Sequence, residues 1–362
     1  METRREFLTQ TAAASLTLAA SASLRPANAQ TPGAGGSNTT MKTYKIPQTN
    51  LVVSRLAFGC AMLGLDWDDA DFVAKTVPVI NAAHDQGITF FDLADVYGYG
   101  KAELALGAVL KQRPGLRHQI VVQSKCGDRF KDGSSIDNSR AHILEAVNGS
   151  LQRLGTDYLD ILLLHWPDNL VHPEEVASAF DELKRAGKVR YFGVSNHNPM
   201  QIELLKKSVR EPLVVNQIQL GVAHWYTMAD PGKGAMTHGA EGALTLDYCR
   251  VHDMQVQAYS PLKAGNIGTP PNLLKPNENA PPEVKRAIQT LTEVAQKKGV
   301  GSAAVMLAWL LHHPAGIVPI IGATKAEHVV ENCAADRVEL IREEWYSLLQ
   351  ACAAVSQPSL KT

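Results

Sequence analysis

From residue 55 onward the chain repeats one local pattern eight times, a short apolar run followed by a longer amphipathic segment. Alternating strand and helix signals imply βα units, because a parallel neighbour is reached only by a crossover long enough to hold a helix. The strand runs are 56–58, 89–92, 120–125, 159–165, 190–195, 214–217, 256–260 and 318–321. Helical periodicity fills 69–86, 101–111, 139–154, 173–186, 199–207, 244–252, 282–313 in two pieces, and 325–335. Gly87 and Gly187 stand where helices stop.

Eight such units favour a closed (β/α)8 barrel, an α/β fold of ~250 residues, over an open doubly wound sheet. A dinucleotide-binding open sheet needs G-x-G-x-x-G after its first strand. Gly59-Cys60-Ala61-Met62-Leu63-Gly64 fails that spacing. Residues 44–53, turning near Gln48-Thr49-Asn50, read as a hairpin plugging the barrel's bottom. The Gly/Pro-rich stretches 221–242 and 262–281 follow the sixth and seventh strands. There a barrel builds its sites, so they read as a substrate lid.

The 362 residues leave room for two domains, so the start of the chain matters. Residues 1–29 carry Arg4-Arg5, a mildly apolar run over 11–24, and Ala27-Asn28-Ala29, the order of a secretory signal with its cleavage site. Thr3-Arg4-Arg5-Glu6-Phe7-Leu8 resembles the twin-arginine variety, which implies the twin-arginine export machinery as a partner and a periplasmic or secreted product, exported folded and often with a cofactor inside. Residues 30–41 read as a Gly/Ser/Thr/Pro-rich tether. One barrel over 42–362 then uses the rest.

Composition narrows the function. Lys+Arg (35) and Asp+Glu (36) cancel, which disfavours nucleic acid as a partner. Past the first residues no apolar stretch of ~18 occurs, so no membrane anchor is expected after processing. Five cysteines without a C-x-x-C pair disfavour a disulfide scaffold or a zinc ribbon, and Cys60 and Cys126 read as inert buried thiols. No H-E-x-x-H or clustered ligand set implies a metal, and one Asp92 with one His165 are too few for a metal-dependent barrel hydrolase.

A polar side chain at the C-terminal end of a barrel strand points to catalysis. Asp92 ends the second strand, Lys125 the third and His165 the fourth, with Tyr97 on the loop after Asp92. A lysine ammonium beside a phenol stabilises the phenolate and lowers its pKa from ~10, making Tyr97 a general acid or base. Asp92 would hold Lys125 charged and His165 would orient a substrate oxygen. Trp67, Trp166, His197 and Trp225 follow strand ends as candidate pocket walls.

FDLADVYG with Asp92 and Tyr97, SKCG with Lys125, and LLLHWPD with His165 resemble the tetrad of the aldo-keto reductases, from about Ile46 to Ala351. The resemblance implies a carbonyl/alcohol oxidoreductase using NADP(H), with NAD(H) as the alternative. It implies that Ser195 and Asn196 in Gly193-Val194-Ser195-Asn196-His197, and Gln217 in Val215-Asn216-Gln217, hold the nicotinamide carboxamide. The same resemblance implies that Tyr259 in Ala258-Tyr259-Ser260-Pro261-Leu262 stacks near the nicotinamide and that Ser260, Pro261 and Leu262 touch the pyrophosphate. Gly322, Thr324, Lys325, His328, Glu331 and Asn332 match the adenosine-end signature, with Lys325 and His328 placed to neutralise a 2′-phosphate. That segment opens a helix after the eighth strand, where backbone N–H groups meet a phosphate; an ordinary helix start capped by Thr324 is the plainer reading. Some barrels of this family sense a coenzyme without turnover, so a redox-sensing nicotinamide-binding protein is the rival reading.

Overall fold

The computed structural model describes residues 41–63, 71–129, 135–223, 243–262, 272–274 and 278–356. The proposed signal, the tether up to residue 40, Trp67, Trp225 and most of both long loops lie outside the described residues.

Eight parallel strands close on themselves: β3 (Ala57–Gly59), β4 (Phe90–Asp92), β5 (Val121–Cys126), β8 (Leu159–Leu164), β9 (Val189–Ser195), β10 (Leu213–Gln219), β11 (Gln255–Tyr259) and β12 (Val318–Ile321), which pairs back to β3. The expected barrel is therefore present, each strand within two residues of its expected bounds. β5 and β8 are buried at every position, and β8 shows the near-continuous apolar habit of strands covered on both faces.

The helices are α1 (Phe72–Asp85), α2 (Lys101–Gln112), α3 (Arg140–Leu154), α4 (Pro173–Arg185), α5 (Pro199–Lys206), α6 (Ala243–Val251), α7 (Pro282–Lys298), α8 (Ser302–Leu311), α9 (Ala326–Cys333) and α10 (Arg342–Ser356). Local chemistry starts and stops them. The Ser139 side chain caps α3, Asn198 and Gln201 form a reciprocal capping box on α5, and Pro173 opens α4.

Two cores result. Phe90, Ile161, Leu163, Val215 and Val318 fill the barrel's interior, while Phe58, Phe91, Phe180 and Phe192 pack between strands and helices. The hairpin of β1 (Thr43–Lys45) and β2 (Val52–Ser54) sends Ile46, Leu51 and Val53 into the interior core, and Gln48 Nε2 donates to the carbonyls of His252 and Asp253 ahead of β11. It plugs the bottom as expected. Beside it Asp160 is buried between Arg117 (2.8 Å) and Arg190 (3.0 Å), whose guanidinium groups lie 3.8 and 4.0 Å from the ring of Tyr158.

Two elements were not anticipated. Helix α10 docks on the barrel through stacked Trp345 and Trp309, 4.5 Å between ring centroids, each indole N–H donating to the other residue's carbonyl (2.9 and 3.0 Å). A ribbon of β6 (Asp128–Arg129) and β7 (Ser135–Ile136) extends the end of β5.

Candidate active site

Asp92 at the end of β4, Lys125 near the end of β5 and His165 just past β8 lie at the C-terminal face of the barrel, and the four expected residues meet there. Lys125 Nζ donates to Asp92 Oδ2 (2.7 Å), Asp92 Oδ1 (2.8 Å), the Leu93 carbonyl (2.8 Å) and Tyr97 Oη (3.1 Å). The ammonium and carboxylate are essentially buried, a state tolerated only with close pairing and further hydrogen bonds. The peptide N–H groups of Leu93 and Asp95 bond to the carbonyls of Gln123 and Lys125, binding the loop that carries Tyr97 to the edge of β5. His165 sits immediately past β8, its ring edge-on to Tyr97 with centroids 5.7 Å apart and stacked on Trp166 at 5.9 Å.

The turn after Tyr97 is left-handed at Gly98, Tyr99 and Gly100. A Cβ on Gly100 would also stand 2.5 Å from Arg153 Cδ. Arg153 in turn donates to the fully buried Glu103 (2.7 Å), which accepts from Ser124 beside Lys125 (2.6 Å). One ionic link thus ties the Tyr97 turn to the strand of Lys125.

Burial first, then the charges of Asp92 and Asp128, hold the Tyr97 phenol well above its ordinary value of 10. This corrects the expectation that Lys125 lowers it. Lys125 itself is pushed down from 10.5 by burial, with Asp92 opposing. Burial, then Glu103 and Asp128, raise Asp95 well above its ordinary value of 3.8.

The residues expected to hold a carboxamide are knotted to the tetrad. Asn196, at φ 61°, donates to the His165 carbonyl and to Ser195 Oγ (both 3.1 Å), and Tyr259 Oη donates to Asn196 Oδ1 (3.0 Å). Ser195 Oγ donates to the Gln217 carbonyl (3.0 Å), and Gln217 Nε2 donates to Asp92 Oδ1 (2.9 Å). Ser260, also left-handed at φ 49°, with Pro261 and Leu262, continues from β11 on the same face. Gly322, Thr324, Lys325 and Glu331 are exposed after β12, His328 is half-buried and Asn332 buried. The N-cap of α9 is Lys325 rather than Thr324, and its side chain makes no capping bond among the described residues. Lys325 Nζ lies 3.7 Å from Glu327.

His197 is not a pocket wall. It is 2% exposed, its Nδ1 lies 2.8 Å from the Ser195 carbonyl, which can only accept, and burial depresses it to about 4. Asp128 was missed: its Oδ2 lies 2.8 Å from His165 Nδ1, off the line of a straight hydrogen bond. A polar residue three past Lys125 was the available signal. Buried Gln123 and Gln257 were missed too.

The sequence profile of the Aldo/keto reductase family matches residues 55–353. The chain is 36% identical over 319 residues to the uncharacterized oxidoreductase YcsN of Bacillus subtilis, covering 85% of this chain and 97% of that protein. It is 35% identical to a 6-dehydroglucose reductase of Agrobacterium fabrum, covering 82% and 94%. A crystal structure of an aldo-keto reductase from Klebsiella pneumoniae in complex with NADPH superposes with a TM-score of 0.66 at 28% identity, covering 89% of this chain and 98% of that one. With eight parallel strands, this side-chain cluster at their C-terminal ends and the profile match together, the chain is an oxidoreductase that belongs to the aldo/keto reductase family.

Proposed function

We propose that the protein is an NADP(H)-dependent reductase of carbonyl compounds, working reversibly on the alcohols, with Tyr97 as proton donor. The observation that carries this reading is the contact of one buried ammonium, Lys125 Nζ, with both the Asp92 carboxylate and the Tyr97 phenol.

The face fits a nicotinamide coenzyme on its own terms. Ser195, Asn196 and Gln217 converge there, and among the described residues no hydrogen bond reaches Gln217 Oε1. The uncapped start of α9, with Lys325 and His328 close in sequence, suits a phosphate. The Klebsiella neighbour crystallised with NADPH supports that choice of coenzyme. When bound, the coenzyme supplies or takes the hydride.

The protein's own groups do the rest. Tyr97 Oη holds the proton that a carbonyl oxygen gains on reduction. Lys125 Nζ stabilises the phenolate left behind, and Asp92 keeps that ammonium aimed and charge-balanced. His165, flanked by Tyr97 and Trp166, orients the substrate oxygen. Protonation of this kind is worth ~10²–10⁴-fold.

We also propose that residues 1–29 are a twin-arginine signal and 30–41 a tether, placing the barrel of 42–362 in the periplasm or outside the cell. The reductase reading is tested by following NADPH oxidation by purified protein across aromatic and sugar aldehydes, the latter because of the Agrobacterium relative. Turnover is expected, and failure to bind either nicotinamide coenzyme sinks the reading.

A further inference from the structure

Three glutamines form a closed ring with Asp92 inside the barrel. Asp92 and Gln123 are register partners on β4 and β5, and Gln217 and Gln257 are register partners on β10 and β11. Barrel closure sets the two pairs face to face. Gln123 Nε2 donates to Asp92 Oδ1 (2.7 Å) and Gln257 Oε1 (2.7 Å), and Gln217 Nε2 donates to the same two oxygens (2.9 Å each). Gln257 Nε2 returns a bond to Gln123 Oε1 (2.9 Å). All four side chains are buried.

The ring has one consistent orientation. The carboxylate only accepts, so both neighbouring amides must turn nitrogen toward it. Gln257 then offers oxygen to both amides and nitrogen to Gln123. Reversing Gln217 would press its oxygen against Asp92 Oδ1 and Gln257 Oε1 with no proton between them, leaving buried polar atoms unsatisfied. Gln217 Oε1 is therefore turned away from the ring.

We propose that Gln257 is a positioning residue of the coenzyme site. Asp92 sets which end of the Gln217 amide faces inward, and Gln257, by taking its second N–H, fixes the amide plane so that the outward oxygen is aimed as an acceptor, favouring a ring bearing a carboxamide N–H over one bearing an acetyl group. The inference rests on the coenzyme reading above and adds the residue that sets its selectivity.

The test is titration of the full-length protein, with no substrate present, by NADP+, its 3-acetylpyridine analogue and 2′,5′-ADP. Wild type is expected to prefer NADP+ over the analogue. Gln257→Leu is expected to lose about tenfold in NADP+ affinity, about one hydrogen bond. It should discriminate less between the two dinucleotides than wild type does, since Asp92 alone still orients Gln217, with 2′,5′-ADP affinity unchanged. Gln257→Glu, which keeps the accepting oxygen and when protonated can donate to Gln123, is expected to keep the preference. If Gln257→Leu does not fold, Gln257→Met replaces it with nearly the same volume. A preference undiminished from wild type in the folded apolar variant overturns the proposal, and so does a parallel loss of 2′,5′-ADP binding, which marks a merely structural role. Wild type binding none of the three overturns the coenzyme reading instead, and is recognisable because no substitution is involved.

Discussion

Lys125 Nζ stands 3.1 Å from the Tyr97 oxygen, yet that phenol is held well above its ordinary value of 10. A buried ammonium should favour the phenolate, but burial of the phenol opposes it most strongly, Asp92 neutralises that charge at 2.7 and 2.8 Å, and Asp128 adds a second carboxylate. The phenol therefore stays protonated at neutral pH, the form that gives a proton to a carbonyl oxygen.

Carbonyl reduction is accordingly expected to persist into alkaline pH, falling only as Tyr97 ionises. Asp128→Asn removes one of the charges that raise Tyr97, so the alkaline limb of kcat/KM should move to lower pH. A limb that stays put or moves upward contradicts the assignment.

The Lys125–Asp92 pair gives a stability prediction. Lys125→Met leaves a buried carboxylate without its cation and should cost about 3–5 kcal/mol in denaturant unfolding. Lys125→Met combined with Asp92→Asn should recover part of that loss, because no charge is stranded. Additive losses would show the two do not act as a pair.

His197 gives an acid-stability prediction with a definite sign. Its folded value of about 4 lies below the ordinary 6.5, so between these values the unfolded chain binds the extra proton. Stability is complete above pH 6.5 and is lost as pH falls toward 4, by about 3 kcal/mol at ~1.4 per pH unit. His197→Asn, which lacks the titrating ring, should flatten thermal stability across that window. An equally steep fall in the variant would remove His197 as the cause.

The two N-terminal arginines predict location. Replacing Arg4 and Arg5 by lysine should retain the unprocessed chain in the cytoplasm, as read by fractionation and the mass of the mature N-terminus. Normal export of that variant would exclude a twin-arginine route.

The strands were legible because runs such as Leu159–Leu164 are largely apolar and their helices carry local stop and cap signals, as at Gly187 and Asn198. Asp92, Lys125 and His165 were legible because a charge ending an apolar strand is conspicuous. The partners of those charges were not. Gln123 and Gln257 are 134 positions apart and meet only through barrel closure. Glu103 and Arg153 are 50 apart on different helices and look like solvent-facing residues until α2 and α3 pack. The protonation of Tyr97 was misjudged for the same reason, since it depends on burial and on Asp128, which a one-dimensional reading sets aside. His197 follows a strand end like a pocket residue, but its ring folds back onto the Ser195 carbonyl.

The measurement that bears most directly on the central claim is NADPH oxidation by wild type and Tyr97→Phe with one aldehyde that wild type reduces, alongside coenzyme titration of both proteins. The account predicts a loss of at least about a hundredfold in kcat for the variant, with coenzyme affinity unchanged, because only the proton donor is removed. Turnover by Tyr97→Phe at the wild-type rate would contradict it.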